Sequence, residues 1–316
     1  MLYTHFTLDE RIFLQDSKKQ GLSIRRIADL LGRSPSSVSR ELKRNRSRNG
    51  YHAKKADSLA RSRRCNASVK VLKAGSPEYE YVIDKLTVYW PPEAICGRWE
   101  IDFPNHKKIH FSTIYRHIKQ GRLPGITKKD NLRRRGKKKR SQYGGQMTIH
   151  PNRLIKEWPK DIQERSRIGD WEGDTITGKI GSGLITTLVD RKSRYLRAGK
   201  VPSKHADVQR ASVERLLIDQ PVESLSLDNG VEFAEHEKIE KTLETKIYFA
   251  EPHCPWQRGS NEYANGLLRF FFPRSSNFRE ITQEDVDKVV NLLNQRPRKC
   301  LGWRTPEEVF RGVALT

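Results

Sequence analysis

Cysteine is sparse in this chain: four in 316 residues, with no Cys-x-x-Cys pair among them. That spacing offers neither a disulfide framework nor a zinc-binding set, so reduced thiols in a cytosolic protein are expected. Long apolar runs are also missing, and no signal-peptide or lipidation pattern is legible, so no membrane partner is expected. Asn66-Ala67-Ser68 matches a glycosylation sequon, but without a secretory signal it carries no meaning. The third shortage is of negative charge, and it is local. Residues 1–150 hold 13 acidic residues against 34 basic ones, whereas residues 151–316 hold 25 against 27. The whole chain carries +23 at pH 7. A basic half joined to a nearly neutral half describes a polyanion-binding module attached to something else, and nucleic acid is the polyanion that fits. At this length two or three domains are expected.

What is present in the first half is helical punctuation. Thr7-Leu8-Asp9-Glu10 is a capping-box pattern that predicts a helix to about Gln20, ended by Gly21. In GLSIRRIADLLGRSPSSVSRELKRN (21–45), Ile24, Ile27, Ala28 and Leu31 recur at helical spacing and make one apolar face. Gly32 supplies a turn, Ser34 can cap, and Pro35 suits the first position of a second helix. Val38 and Leu42 then point inward, leaving Ser36, Ser37, Ser39, Arg40, Lys43 and Arg44 outside. That is the layout of a helix-turn-helix whose second helix sets hydroxyls and guanidiniums against base edges and phosphates. A plain hairpin with a solvated basic face is the competing reading; the turn spacing and the surrounding charge favour DNA.

A weaker echo follows. EYEYVIDKLTVYW (78–90), PPEAICGRWEIDF (91–103) and STIYRHIKQG (112–121) predict three more helices. In the last, Ser112 is expected to cap and Ile114 and Ile118 to face in. Thr113, Arg116, His117 and Gln120 would face out, as in a second helix-turn-helix, with His117 a surface polar residue. KKDNLRRRGKKKR (128–140) contains nine basic residues and one acidic. No core can be built from it, so it reads as a flexible linker or an arm along phosphates, with Arg133, Arg134 and Arg135 as contacts. Gly144-Gly145 closes it.

Past that linker the pattern changes to strands. DWEGDTITG (170–178) and LITTLVDRKSRYLRAGKV (184–201) are β-rich, with a turn around Arg191-Lys192-Ser193. A helix is expected over 203–218, a strand at SLSL, a helix over 232–243 and a strand at KIYFA. Helices then begin in QRGSNEYANGLLRFFF, in TQEDVDKVVNLLNQ and at Thr305-Pro306. Antiparallel strands followed by strand–helix alternation argue for a mixed sheet with helices on its faces.

Three carboxylates stand out there. Asp174 lies within the first strand, Asp228 ends a later one, and Glu262 sits early in a helix, on a face with Asn265 and Arg269. Gathered together they would repel unless a cation sat between them, and hard divalent ions bound by carboxylates perform phosphodiester chemistry. Each also has a bland reading. Asp228-Asn229-Gly230 alone is a turn, since Asn and Gly tolerate positive φ. Glu172 shares a strand face with Asp174, and periodicity does not choose between them.

WEGD, LDNGVEFA and PWQRGSNEYANGLLR closely resemble the motifs of the insertion sequence 30 family of transposases. GLSIRRIADLLGRSPSSVSRELKRN and NQRPRKCLGWRTPEEVF extend the resemblance over most of the chain. It implies a DDE enzyme with a ribonuclease-H-like catalytic core, whose triad falls on Asp174, Asp228 and Glu262. The 33 residues between the last two match the family gap. It also implies two Mg2+ ions, replaceable by Mn2+, and marks the second helical set as a further DNA-binding helix-turn-helix. Arg258 becomes a candidate phosphate contact, and Trp256 a packing residue. Tyr263 stands where the family often has Asn, and Phe272-Pro273-Arg274-Ser275 replaces a commoner Pro-Lys-Gly ending.

The expected protein is multidomain. Residues 1–62 and 63–127 are two helix-turn-helix domains, 128–145 a basic linker, and 146–316 an α/β ribonuclease-H-like domain with a mixed sheet. By the resemblance it would bind the terminal inverted repeats of its element and target DNA as a homodimer or larger assembly, in the bacterial cytoplasm at the nucleoid. It would cut and join DNA through a circular intermediate, without a covalent protein link. A DNA-binding regulator with an oligomerisation domain, or a nuclease or retroviral-type integrase, are the rivals. An intact triad disfavours the first, and the missing His/Cys zinc pattern disfavours the integrase.

Overall fold

The computed structural model describes residues 5–47, 50–68, 72–133, 153–251 and 255–312. The chain divides into two compact units, Met1–Glu80 and Tyr81–Thr316. In the first, Thr7 caps α1 (Leu8–Lys19) through the reciprocal box with Glu10, and Gly21 leaves at φ 79°. Ser23 and Ser34 cap α2 (Ile24–Leu30) and α3 (Pro35–Arg44), with Gly32 at φ 61° between them. Leu14, Ile27, Ala28 and Val38 close a small core, with Leu42 and Tyr51 packed against it. A two-stranded ribbon, β1 (Arg46–Ser47) and β2 (Gly50–Tyr51), leads into α4 (Ala53–Ser68), which packs on α1. Apolar spacing announces neither. Nor does it announce Arg11, a buried guanidinium that donates to Glu41 at 2.8 Å and Asp57 at 2.9 Å. Those ion pairs tie α1 to α3 and α4.

α5 (Pro77–Thr87) precedes α6 (Pro92–Asp102), which packs on α7 (Phe111–Lys119); α8 (Lys128–Asn131) follows. Two expectations fail in α7. His110, not Ser112, is the N-cap, its Nδ1 accepting from the Ser112 amide at 3.3 Å. His117 is buried, because Ile114, His117 and Ile118 fall at i, i+3 and i+4 on one inward face. Burial, with Arg122 and Arg116 nearby, lowers its pKa. α6 docks on the C-terminal segment. A Cβ on Gly97 would stand 2.2 Å from the Trp303 indole, so only glycine fits there. Arg98 pairs with Glu308 at 2.8 Å, and the Tyr89 ring meets Phe270 and Phe271 with centroids 5.5 and 5.2 Å away. The rest of the basic run, Arg134 and Arg135 included, lies outside the described residues, as does Gly144-Gly145.

After α9 (Lys160–Glu164), β3 (Asp170–Thr177), β4 (Leu184–Asp190) and β5 (Leu196–Val201) form an antiparallel meander. α10 (Ala206–Leu217) carries the chain to β6 (Ser224–Leu227), parallel to β3, and α11 (His236–Leu243) to β7 (Lys246–Phe249), parallel to β6. The order β5-β4-β3-β6-β7 makes a mixed, ribonuclease-H-like sheet. The helix expected over 232–243 is split: a 3-10 turn covers Val231–Phe233, and α11 starts only at His236.

Helices cover both faces. α12 (Gly259–Phe271) and α13 (Gln283–Asn294) bury Leu267, Leu268, Val286 and Val290 against Ile185, Val189 and Leu196. On the other face Val213, Leu217 and Ile239 pack on Trp171, Leu188 and Leu225. α14 (Pro306–Phe310) ends the described chain, its Phe310 stacked on Tyr195 at 4.4 Å.

Candidate active site

Strand alternation builds the site. Gly173 points toward Leu227, where an added Cβ would come within 2.5 Å of Leu227 Cδ2, so the WEGD glycine gives the parallel partner room. Glu172 and Asp174 therefore point to the opposite face, under α12. β3 and β6 are parallel with Glu172 level with Ser226. Asp174 lies two residues further along β3 and Asp228 directly follows β6, and one guanidinium reaches both. Parallel pairing of β3 with β6 thus brings the two carboxylates together.

A guanidinium stands between them. Arg258, the N-cap of α12, reaches Asp174 Oδ1 and Asp228 Oδ2, each at 3.3 Å, and donates to the Gly173 carbonyl at 2.8 Å. Asp174 is further held by Asn265, whose Nδ2 donates to its Oδ2 at 2.8 Å, and by the Thr175 amide at 2.7 Å. Asn265 in turn accepts from Thr187 at 2.9 Å. Burial pushes the Asp174 carboxyl above its usual range; Arg258 opposes that and Asp228 adds to it. Burial also works against the Arg258 charge, but Asp174, Asp228 and Glu172 outweigh it and hold its pKa above the ordinary value.

Glu172 has a different setting. It is fully buried, ion-paired with Arg191, and accepts from the Asn261 amide at 3.1 Å. Arg191 stacks over Trp158 at 3.9 Å. Both groups are engaged in holding β3, α12 and the segment before the sheet together.

Glu262 is exposed on the first turn of α12, one turn beyond Arg258. Among the described residues no three acidic, histidine or cysteine side chains stand close enough to hold a metal ion. The structure thus gathers Asp174 and Asp228, with Arg258 as the cation between them, and leaves Glu262 apart. The face shared by Glu262, Asn265 and Arg269 is not uniformly solvated, because Asn265 is buried and Arg269 donates to the Thr177 carbonyl at 2.6 Å. Periodicity missed Asn265 as a partner of Asp174. The signal was its spacing, since Arg258, Glu262 and Asn265 fall at i, i+4 and i+7.

Gly230 is a further correction. Its φ is −71°, so the turn after Asp228 needs no left-handed residue. It needs space: an added Cβ would lie 2.7 Å from Glu232 Oε2 and 3.0 Å from Asp228 Oδ1. Glu232, which no motif singled out, is buried and accepts from Thr175 at 3.1 Å.

A helix-turn-helix domain family matches residues 3–45. The transposase InsI for insertion sequence element IS30A of Escherichia coli K12 is 36% identical across 99% of this chain and 85% of its own length. The transposase for insertion sequence element IS4351 of Bacteroides fragilis is 33% identical across 98% of this chain and 96% of its own. This chain belongs to the insertion sequence 30 family of transposases. The catalytic core of BIV integrase aligns at 23% identity over 45% of this chain and 93% of that one, with a TM-score of 0.38, too low to add to the topology already described.

In this transposase the DNA-binding helix-turn-helix presents Ser36, Arg40, Lys43 and Arg44 to solvent, with Ser37 half-buried. Arg40 is steadied by its own helix, its Nε donating to the Ser36 carbonyl at 3.2 Å. Ser37 bonds the capping Ser34 hydroxyl at 2.8 Å. On α7, Arg116 is exposed and Thr113 half-buried. Arg133 lies over the Tyr263 ring at 5.2 Å, against α12. Among the described residues no helix is long and apolar enough to cross a membrane.

Proposed function

We propose that this transposase binds the terminal inverted repeats of its own element and cuts and rejoins DNA with Asp174, Asp228 and Glu262 as its acidic triad. The observation that carries the reading is the pair of carboxylates, one on β3 and one just past the end of the parallel β6, aimed at one cation position. Arg258 occupies that position as a stand-in, and the hard oxygen donors of Asp174 and Asp228 suit Mg2+ or Mn2+. Bound there, divalent ions would supply the charge that activates an attacking hydroxyl and steadies a leaving oxygen at phosphorus. Glu262 would complete the set from one turn along α12.

The chain's own residues do the positioning. Asn265 and the Thr175 amide hold Asp174 in one orientation. Arg258 keeps the carboxylates neutralised until they are needed, then turns toward the nearest anion, the scissile phosphate. That joins its present place between the aspartates to its expected role as a phosphate contact. Residues 1–62 and 63–127 are read as two DNA-binding units, and residues 128–145 as a basic arm. A dimer or larger assembly would hold both element ends.

The test uses oligonucleotides carrying the inverted repeats that flank the gene. Asp174→Asn, Asp228→Asn and Glu262→Gln should each abolish cleavage and joining in Mg2+ or Mn2+ while leaving repeat binding near wild type. EDTA should reproduce that loss in the unaltered protein. Cleavage surviving Asp228→Asn would show that the carboxylates are structural and reopen the regulator reading.

A further inference from the structure

Across the first turns of α12 from Glu262 and Asn265 lies a cavity of about 320 Å³. Ser260, Tyr263 and Leu267 face it at i, i+3 and i+7, whereas Glu262 and Asn265 lie on the opposite side of the same helix. Its floor is apolar, made by Leu196, Leu267 and Leu293. Its polar lining is cationic, with Arg165, Arg194 and Arg298, and no carboxylate is among its described lining residues.

Three features mark a prepared site. Arg298 is 9% exposed, and its Nε and Nη1 have no hydrogen-bond partner, although Nη2 donates to the Leu293 carbonyl at 2.9 Å. Leaving a buried guanidinium under-satisfied is costly unless an anion completes it. Arg194 is aimed by Ser260, whose hydroxyl accepts from Nη1 at 2.6 Å. Tyr263 roofs the group: the guanidinium of Arg298 lies 5.6 Å from its ring centre, and that of Arg133 lies 5.2 Å away.

We infer that this cavity receives a single unpaired nucleotide of the DNA substrate, its phosphate against Arg194 and Arg298 and its base on the leucine floor beside Tyr263. The volume falls at the low end of small-ligand pockets, about 300–1,000 Å³, and a duplex could not enter. Guanidiniums suit phosphate, and an apolar floor with an aromatic neighbour suits any base. The inference rests on the strand-transfer reading for its DNA, and it adds where an unpaired nucleotide of that DNA is held.

The experiment measures binding of the full chain to three forms of one duplex by fluorescence anisotropy. The first is blunt, the second ends in one unpaired nucleotide (5′ and 3′ versions), and the third ends in one abasic nucleotide. The unpaired nucleotide should tighten binding on the order of tenfold over the blunt form, with the abasic end recovering only part of that gain. Arg298→Ala and the half-exposed Arg194→Gln should each erase the gain and leave blunt-duplex affinity unchanged. If Arg298→Ala does not fold, Arg194→Gln alone decides. No gain from the unpaired nucleotide, or a gain that survives Arg194→Gln, overturns the inference. An abasic end as good as the full nucleotide reduces it to a phosphate site and also overturns it. Asp174→Asn should retain the gain. Cleavage that depends on Asp174 without any overhang preference removes the cavity and spares the transferase reading; an overhang preference with cleavage indifferent to Asp174 does the reverse.

Discussion

Glu172 and Asp174 stand two residues apart on one strand face, yet only Glu172 is sealed inside the protein against Arg191. Removing one member of a buried pair leaves the other charge stranded, at a cost of about 3–5 kcal/mol. Glu172→Gln should therefore lower the melting temperature sharply, whereas Asp174→Asn, which keeps a partner for Asn265, should leave it near wild type. Equal melting of both variants would contradict that division. Arg258 permits a second test. Without its guanidinium the Asp174 and Asp228 carboxylates face each other uncompensated. Arg258→Ala should melt lower in EDTA, and Mn2+ or Mg2+ should raise it by more than it raises the wild type, because the ion no longer competes with a resident cation. Titration calorimetry with Mn2+ should show tighter binding to the variant. Identical metal responses would mean that Arg258 does not hold the cation position.

At the scale of elements, α6 is held to α14 by Arg98 and Glu308, and Glu308 also caps α14 through Thr305. Burial raises the Glu308 pKa, but Arg98 and the Thr305 amide more than reverse it, so the net shift is downward. A carboxylate with a lowered folded pKa stabilises above its unfolded value, near 4.3, and that contribution is lost as pH falls through the folded value. Glu308→Gln should cost on the order of 1 kcal/mol at pH 7. The variant's deficit should shrink as pH falls from about 5 toward 3. Thermal melts of both proteins across that range measure it, and a deficit independent of pH would place the contribution in packing. The recognition helix offers the other element-level test. Arg40→Ala should lose about 1–3 kcal/mol on the cognate repeat and little on random DNA.

For the whole molecule, charge asymmetry dominates. With 34 basic residues against 13 acidic ones in residues 1–150, DNA affinity should fall steeply as salt rises, by counterion release. Neutralising Arg133, Arg134 and Arg135 should weaken cognate and random DNA alike. Arg133 has a second consequence, because it also covers Tyr263. Gel-shift titrations at several salt concentrations check both; a cognate-only loss from that triple change would mean that the run reads bases. Gly97 beneath Trp303 and Tyr89 beside Phe270 seat the second helical set on α12 and the C-terminal segment.

Local order was legible wherever a residue's own chemistry sets the backbone. Thr7 with Glu10, Ser34 with Pro35, and the alternation in WEGD and SLSL announce the helix starts and strands, because caps and strand periodicity act over a few residues. The motifs named the family, and the 33-residue gap named Asp228 and Glu262 as candidates. Pairing was not legible. That Asp174 and Asp228 share one cation depends on the parallel pairing of β3 with β6, which brings together residues far apart in the chain. That Glu172 is committed depends on Arg191 arriving from the end of β4, and that His117 is buried depends on what packs against α7. Arg258 shows the limit most clearly: in sequence it is one cation in a motif, and only the fold sets it between two carboxylates. Charge and periodicity act locally, whereas burial and ion pairing depend on which distant segment arrives.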